Sequence, residues 1–225
     1  MAIAAKKVEK LLEGVFLVDG RLATRNADRG RKVYNEDLIV HNGVEYRTWN
    51  PYRSKLAAAI LNGMKHFNIK EGSNVLYLGA ATGTTVSHVS DIAEKGRIYA
   101  VEFSERSMRD LIKVCETRKN ILPILEDARY PERYAEYIEK GSCDILYQDV
   151  AAKEQAEILL ANSDFIKKGG TAYFAIKSQS IDISASPEQT YKKVLMEVGK
   201  KFEVLEKIHL EPYDTLHLFV VLKKR

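Results

Sequence analysis

Hydrophobic residues follow two different patterns along this chain, and the change comes near residue 74. Before it, short apolar runs flank Asp19-Gly20 and Asn42-Gly43, dipeptides that favour two-residue hairpin turns. After it, apolar runs of strand length alternate with amphipathic stretches of helix length. The predicted strands are 74–78, 97–103, 120–125, 143–150, 169–177, 202–210 and 216–222, and the predicted helices are 83–94, 105–118, 131–139, 153–167 and 187–201.

The alternation predicts an α/β fold. Strands that alternate with helices are joined by right-handed crossovers, which build a parallel sheet covered by helices on both faces. The last two strands have a connection too short for a crossover, so they should pair antiparallel. We expect a mostly parallel seven-stranded sheet that ends in a C-terminal antiparallel hairpin, after a small N-terminal antiparallel β domain. Pro51 breaks the strand pattern and Ser54 can cap a helix, so the predicted domains are 1–53 and 54–225.

Composition narrows the class of protein. Hydrophobic residues make up 45% and charged residues 29%, as in soluble globular proteins. The run Leu56 to Leu61 is far shorter than the roughly 20 apolar residues of a membrane span, and lysines interrupt the N-terminal residues before a signal-peptide core forms. Cys115 and Cys143 form no Cys-x-x-Cys motif, which favours small buried side chains in a reducing compartment. We expect a cytoplasmic protein with no membrane contact and no metal site.

The positive charge is concentrated in one early segment. Residues 21–55 contain eight basic and four acidic side chains, so the whole net charge of +4 lies there. The same segment holds Tyr34, Tyr46, Trp49 and Tyr52. Basic groups interleaved with aromatic rings suit the phosphates and unstacked bases of RNA. A solvated basic face over a small aromatic core explains the pattern equally well, so both interpretations remain open.

Polar residues follow the predicted parallel strands, at the sheet edge where such folds bind ligands. The first strand leads into the loop 79–85, a Gly-x-x-x-Gly sequence that matches neither a dinucleotide loop nor a P-loop, and a tight turn alone would account for it. The next strands lead to Glu102, suited to ribose hydroxyls, and Asp127, suited to an adenine amino group. The last two lead to Asp149 and Lys177. Together these positions favour a nucleoside cofactor without a pyrophosphate, and S-adenosylmethionine is the obvious candidate.

Several blocks of the sequence resemble the fibrillarin family in its archaeal form, in colinear order from about Gly14 to the C-terminus. They read VLYLGAATGTTVSHVSDI, GRIYAVEFSERSMRDL, NILPILEDARYPE, DILYQDVAAKEQAEIL and AIKSQSID. The resemblance implies a class I methyltransferase (Rossmann-like) fold and the catalytic subunit of a box C/D guide ribonucleoprotein. That subunit would methylate the ribose 2′-hydroxyl of rRNA and tRNA with S-adenosyl-L-methionine as cofactor. Its implied partners are guide RNA, target RNA, a Nop-domain scaffold protein and a kink-turn-binding, ribosomal-protein-like subunit.

The resemblance also assigns site residues. A Lys-Asp-Lys-His catalytic set falls on Lys55, Asp149, Lys177 and His217. The implied cofactor contacts are Gly79, Ala81, Thr84, Thr85, Glu102, Phe103, Asp127, Ala128, Tyr147, Gln148, Asp149 and Val150.

The catalytic residue types suit proton removal from a ribose hydroxyl. A neutral amine can take the proton, so Lys177 is the candidate base, although whether it or another group is the true base stays open. Asp149 would orient Lys177, and Lys55 would hold a neighbouring phosphate. For His217 two interpretations stand: a contact to RNA or to Lys177, and a histidine without function among apolar neighbours.

Two other functions fit parts of the pattern. A nucleotide-dependent oxidoreductase would use a similar sheet, but the chain lacks the Gly-x-Gly-x-x-Gly loop. A non-catalytic RNA-binding or scaffold subunit would keep the fold, yet it would not need all four catalytic residues.

Overall fold

A computed structural model describes residues 3–225, and residues 1 and 2 of the predicted N-terminal domain lie outside the described residues. Within that range the chain forms thirteen strands and six α-helices, and no helix there is long and apolar enough to cross a membrane. The strands are β1 (Ile3–Ala4), β2 (Val8–Leu12), β3 (Val15–Val18), β4 (Arg21–Arg25), β5 (Leu38–His41), β6 (Val44–Thr48), β7 (Val75–Leu78), β8 (Ile98–Glu102), β9 (Ile121–Leu125), β10 (Cys143–Gln148), β11 (Ile166–Lys177), β12 (Phe202–His209) and β13 (His217–Lys224). The helices are α1 (Lys55–Leu61), α2 (Thr84–Ile92), α3 (Glu105–Cys115), α4 (Gln155–Ala161), α5 (Ser178–Ile181) and α6 (Pro187–Val198).

The larger sheet has seven strands in the order β12-β13-β11-β10-β7-β8-β9. Strands β9, β8, β7, β10 and β11 run parallel, and β13 pairs antiparallel with both β11 and β12. Alternate residues face opposite sides, so Val75 and Tyr77 pack with α1, α2 and α3, whereas Leu76 and Leu78 pack with α4 and α6. The predicted α/β fold with a C-terminal antiparallel hairpin is confirmed.

The smaller sheet has six strands in the order β1-β5-β6-β4-β3-β2. Both predicted hairpin turns are present: Asp19, Gly20, Asn42 and Gly43 all have the positive φ that such turns require. Strands β1 and β2 extend this sheet beyond the two predicted hairpins, and β1 pairs parallel with β5. In the sequence, the smaller sheet comes before residue 54 and the larger sheet after it. The domain boundary at that residue remains a prediction.

A buried ionic network joins the smaller sheet to α2. Arg47 places Nε 3.0 Å from Asp91 and Nη1 3.2 Å from Glu36, and its Nη2 donates to Ser87 Oγ at 2.8 Å. Arg118 approaches the other oxygen of Asp91 at 3.1 Å. Since the side chains of Arg47, Glu36 and Asp91 are fully shielded from solvent, their charges depend on one another for compensation.

His88 of α2 lies inside the same interface. Burial lowers its pKa well below the ordinary value, with the charges of nearby arginines acting in the same direction, so the ring is neutral. Its two nitrogens contact Thr24 Oγ1 at 2.8 Å and Tyr34 OH at 2.6 Å, and the ring stacks on Trp49. Of the aromatic residues in the basic segment, Trp49 and Tyr46 are therefore buried core residues, whereas Tyr52 is exposed.

Two predicted helices were wrong in extent or type. Residues 131–139 form two short 3-10 turns, because Tyr134 adopts φ −128° between them and buries its ring against Phe165. The helix predicted over 153–167 ends at Ala161. Asn162 turns its amide inward to the carbonyls of Ile158 and Ala128, a 3-10 turn follows, and β11 begins at Ile166, earlier than expected.

Candidate functional site

The loop after β7 brings two strand ends close together. Gly79 has φ +82°, and a Cβ added there would lie 2.8 Å from the backbone oxygen of Asp149 at the end of β10. Ala81 and Gly83 also have positive φ, and Gly83 precedes the first turn of α2. Only a residue without a side chain fits at position 79, so the glycine creates the close approach around which the site forms.

A cavity of about 300 Å³ lies where the strands of the parallel sheet end. Its walls come from the loops after β7, β8, β9, β10 and β11, the edge at which such sheets bind ligands. Its lining includes the predicted contacts Gly79, Ala81, Glu102, Phe103, Asp127, Ala128, Asp149 and Val150, together with Lys177.

Glu102 is held rigidly at the cavity wall. Its two carboxylate oxygens accept hydrogen bonds from the backbone N–H groups of Ala81 at 2.8 Å and Ser104 at 2.9 Å. Each oxygen keeps a further lone pair. The neighbouring ring of Phe103 is 75% exposed although it borders the cavity, which leaves a flat apolar surface beside a fixed acceptor.

Asp127 lies across the cavity and forms an ion pair with Arg129, 2.6 Å from Nη2 to Oδ2. The hydrogen bond from Arg129 lowers the pKa of Asp127 below its ordinary value. The group therefore stays a carboxylate at neutral pH and acts only as a hydrogen-bond acceptor. Arg129 was not among the predicted site residues, although it follows Asp127 by two positions.

The remaining predicted cofactor contacts lie outside this cavity. Thr84 and Thr85 line an adjoining cavity of about 180 Å³ that shares Gly79 and Asp149 with the first. Tyr147 is fully buried and stacks on Tyr77, with 4.3 Å between ring centroids.

Gln148 points to the opposite side of the sheet, where its Nε2 donates to the backbone oxygen of Gln155. The side chains of Tyr147 and Gln148 line neither cavity. The resemblance implied cofactor contacts for both residues, but the alternation of side chains along β10 sends both side chains into the core.

Asp149 lies between two lysines. Its Oδ1 is 2.8 Å from Lys177 Nζ and 3.2 Å from Lys55 Nζ. Burial raises the pKa of Asp149, but the charges and hydrogen bonds of both lysines outweigh this effect and hold the pKa below its ordinary value. Asp149 is therefore ionised and lies between the two lysine side chains at the end of β10. Lys55 occupies the first turn of α1, which Ser54 caps as predicted.

Lys177 is fixed at both its backbone and its amine. Gln155 accepts a hydrogen bond from the Lys177 N–H at 3.0 Å and donates one to its carbonyl at 3.2 Å. The amine also donates to the backbone oxygen of Asp149 at 3.0 Å. The sequence did not predict a role for Gln155, because a glutamine at the start of a helix gives no sign that it binds a neighbouring backbone.

His217 lies opposite Lys177 in the register of β11 and β13. Its Nδ1 is 2.6 Å from Oδ1 of Asp214, and Oδ2 of Asp214 is 3.9 Å from Lys55 Nζ. The four predicted catalytic side chains thus form one connected cluster, with Asp214 as a fifth member. Asp214 was missed because its contacts depend on the path of the connection between β12 and β13.

Five of the eight basic residues in segment 21–55 line two different clefts. Arg31, Lys32 and Arg53 line a cleft of about 550 Å³ beside the loop 79–85, and Arg53 also borders the cavity that contains Asp149. Arg25 and Arg29 line a separate cleft of about 450 Å³ whose walls carry five acidic residues: Glu13, Glu45, Glu71, Asp91 and Glu94. Asp28 and Asp110 also line the first cleft, but its basic side chains outnumber them, and Arg53 links it to the cavity that contains Asp149. We call it the cationic cleft.

The cluster combines amines, an ionised carboxylate and an imidazole at the edge of a cavity that offers fixed hydrogen-bond acceptors. Amines and imidazoles exchange protons, so the arrangement suits proton transfer from a ligand that enters beside the cavity. Among residues 3–225, no group of three or more histidine, cysteine, aspartate or glutamate side chains is arranged to hold a metal ion.

Comparison with known proteins gives matches over nearly the whole chain. A family model described as Fibrillarin matches residues 6–225. The fibrillarin-like rRNA/tRNA 2′-O-methyltransferase of Pyrobaculum calidifontis is 54% identical over 221 residues, covering 94% of each chain.

Solved structures agree with this match. Aeropyrum pernix fibrillarin, crystallised with natively bound S-adenosyl-L-methionine, has a TM-score of 0.89 at 44% identity and covers 98% of this chain and 99% of its own. The matching chain in the crystal structure of a fibrillarin/Nop5p complex has a TM-score of 0.88 at 41% identity, covering 96% and 100% of the two chains.

Proposed function

Because this chain belongs to the fibrillarin family, we propose that it transfers a methyl group from S-adenosylmethionine to the ribose 2′-hydroxyl of rRNA and tRNA. The observation that carries this proposal is the position of Asp149 between Lys55 and Lys177 at the rim of the cavity. The related protein of Pyrobaculum calidifontis is named for this activity, and Aeropyrum pernix fibrillarin binds S-adenosyl-L-methionine.

The cavity suits the adenosine part of this cofactor. The fixed carboxylate of Glu102 can accept from ribose hydroxyls, and Asp127 can accept from the adenine amino group. The exposed ring of Phe103 offers a face for stacking against a base. The missing Cβ of Gly79 lets the backbone carbonyl of Asp149 pack against position 79, which keeps both loops at one wall of the cavity. When bound, the cofactor supplies an electrophilic methyl group on a sulfonium.

Lys177 is the group we assign to the proton of the 2′-hydroxyl. Only a neutral amine can accept this proton, so an ammonium group at Lys177 must first release a proton to solvent; the hydroxyl oxygen then becomes the nucleophile as its proton moves to Nζ. Gln155 and Asp149 hold Lys177 in place, so it needs little reorganisation when RNA arrives. Lys55 lies on the other side of Asp149, 3.2 Å from its carboxylate, and is suited to hold the phosphate next to the target ribose.

Under this proposal, the selection of the target RNA is the task of partners. We propose that it works as the catalytic subunit of a box C/D ribonucleoprotein, with guide RNA, a Nop-domain scaffold and a kink-turn-binding subunit. A fibrillarin/Nop5p complex has been solved for a protein of the same family. A net charge of +4 neutralises few phosphates, so RNA binding by the isolated chain should be weak and sensitive to salt.

The proposal is tested by a methyl-transfer assay with labelled S-adenosylmethionine and a guide–target RNA duplex, with and without the two partner proteins. We expect methyl transfer only when the guide–target duplex and both partner proteins are present. Assembly without any transfer would favour a non-catalytic scaffold subunit. Binding of NAD in preference to S-adenosylmethionine would favour the oxidoreductase alternative.

Glu102→Ala and Asp127→Ala should each weaken S-adenosylmethionine binding by roughly 1–3 kcal/mol, since each removes an acceptor from a partly buried polar contact. Isothermal titration calorimetry measures the effect. Glu116→Ala, an exposed acid just beyond α3, serves as the control and should bind like the wild type. Wild-type affinity in both cavity variants would show that the cofactor does not use these two acids.

Gly79→Ala should lower cofactor affinity by about tenfold or more. The new Cβ would press on the Asp149 carbonyl, which borders the cavity and accepts from Lys177. Gly20→Ala is the matched control, because Gly20 has φ +78° with no atom within 4 Å of its added Cβ. Positive φ should cost both variants about 1–2 kcal/mol of stability, and Gly79→Ala should lose more because its Cβ also presses on backbone. Equal cofactor affinity in the two variants would refute a role for the close approach at position 79.

The double variant Arg31→Ala/Lys32→Ala should raise the KM for target RNA in the assembled particle. It should also reduce the slope of log affinity against log salt concentration by roughly 0.7–0.9 for each phosphate that the protein no longer neutralises. Arg25→Ala/Arg29→Ala removes the same charge from the acidic cleft and should change neither quantity. If both double variants respond alike, the effect comes from net charge and not from the cationic cleft.

A further inference from the structure

The carboxylate of Asp214 contacts two members of the catalytic cluster without belonging to the predicted set. We propose that Asp214 is a positioning residue that holds the His217 ring in a single tautomer, with hydrogen on Nδ1 and a free lone pair on Nε2. The inference rests on the proposed methyltransferase function for its consequence, but the tautomer itself can be observed independently.

Hydrogen bonds hold the connection between β12 and β13, residues 210–216, which carries Asp214. The Asp214 N–H donates to the backbone oxygen of Leu210 at 3.1 Å. At the end of α1, Asn62 donates from its amide to two carbonyls at the start of the connection, at 2.7 and 2.9 Å. Ser178, the first residue after β11, donates to the backbone oxygen of Leu216 at 2.9 Å. The position of the carboxylate is therefore set by α1 and β11 before any ligand binds.

Both oxygens of Asp214 face charged or titratable groups. Oδ1 lies 2.6 Å from His217 Nδ1, and Oδ2 lies 3.9 Å from Lys55 Nζ. The three side chains are only 18–25% exposed, so water screens their interactions incompletely. His217 is also the register partner of Lys177 across β11 and β13, so the Asp214–His217 pair stands at the strand end that carries Lys177.

The chemistry of the pair fixes the tautomer. An ionised carboxylate can only accept hydrogen bonds, and a neutral imidazole carries one hydrogen. At 2.6 Å a lone pair on Nδ1 would repel the carboxylate, so the contact is favourable only when Nδ1 holds that hydrogen, which leaves Nε2 as an acceptor. The ring as placed does not direct its Nδ1–H at Oδ1, so a rotation of the ring completes this hydrogen bond. An acceptor suits the hydroxyl of a ribose, whereas a phosphate oxygen would require a donor. We therefore assign Nε2 of His217 to a ribose hydroxyl of the RNA.

The test begins with the wild-type chain labelled with ¹⁵N in its histidines. Long-range ¹H–¹⁵N spectra at neutral pH distinguish the Nδ1–H tautomer, the Nε2–H tautomer and the doubly protonated ring, with His217→Asn used to assign the signals. The same spectra are recorded for Asp214→Ala and Asp214→Glu. Glu211→Gln removes an exposed acid from the same connection and is the matched control. Methyl transfer by each variant is measured in the assembled particle at saturating cofactor and RNA.

We expect the Nδ1–H tautomer in the wild type and in Glu211→Gln, and its loss in Asp214→Ala. The kcat of Asp214→Ala should fall by about tenfold or more while cofactor affinity is retained, and Asp214→Glu should recover part of the rate. An Nε2–H or doubly protonated ring in the wild type would overturn the proposal. So would an unchanged tautomer or an unchanged kcat in Asp214→Ala. If the wild type transfers no methyl group, the proposed function fails, and the spectra still decide the tautomer.

Discussion

Methyl transfer should fall by at least about 100-fold when Lys177 is replaced by alanine, because general-base catalysis contributes at least that much. Cofactor affinity should change little, since the acceptors that suit the adenosine moiety lie on other loops. The rate is measured by single-turnover methyl transfer in the assembled particle, and the affinity by calorimetry. Lys168→Ala is the control, because Lys168 is exposed on the same strand, β11.

Lys177→Arg separates a base from an electrostatic contact. A guanidinium remains protonated in proteins and cannot accept the hydroxyl proton, although it keeps the positive charge beside Asp149. The arginine variant should therefore be almost as slow as the alanine variant. An active arginine variant would show that Lys177 contributes charge alone and that another group takes the proton.

Replacing Arg47 with methionine should cost about 3–5 kcal/mol of unfolding free energy. The substitution leaves Glu36 without its cationic partner and weakens the compensation of Asp91, and both carboxylates are fully buried. Equilibrium unfolding in urea measures the loss. Arg118 still contacts Asp91 at 3.1 Å, so Glu36 should account for most of the effect.

Arg21→Met provides the matched control on the neighbouring strand β4. Its partner is Asp37 at 2.7 Å, but both side chains are nearly half exposed. Water screens such a pair, so its loss should cost no more than about 1 kcal/mol. Equal losses in the two variants would contradict the view that burial makes the Arg47 network essential for joining the smaller sheet to α2.

Local sequence signals predicted the elements whose geometry is set locally. The Asp19-Gly20 and Asn42-Gly43 turns need positive φ, and Ser54 caps α1 through its own hydroxyl, so neighbouring residues were enough to place them. The helix prediction over 131–139 was wrong because Tyr134 and Ile138 are four positions apart, the spacing of apolar residues on one face of a helix. Tertiary contacts of Tyr134 with Asn162 and Phe165 override that periodicity.

The site residues likewise divide into those that the sequence predicted and those that it did not. Residues that follow the parallel strands, such as Glu102 and Asp149, were found because every such strand ends at one edge of the sheet. Tyr147 and Gln148 occupy the same stretch of chain, but the direction of each side chain depends on the pleat of β10. Asp214 could not be predicted, because it reaches Lys55 only through the folded path of the connection after β12.

The most direct test of the proposed function uses two target RNAs in the assembled particle, one with ribose and one with 2′-deoxyribose at the single nucleotide selected by the guide. Mass spectrometry of the digested product locates the methyl group. We expect one 2′-O-methyl group on the ribose target, its displacement when the guide is shifted by one nucleotide, and no methylation of the deoxy target. A methyl group on a base, or equal methylation of the deoxy target, would contradict methyl transfer to a guide-selected 2′-hydroxyl.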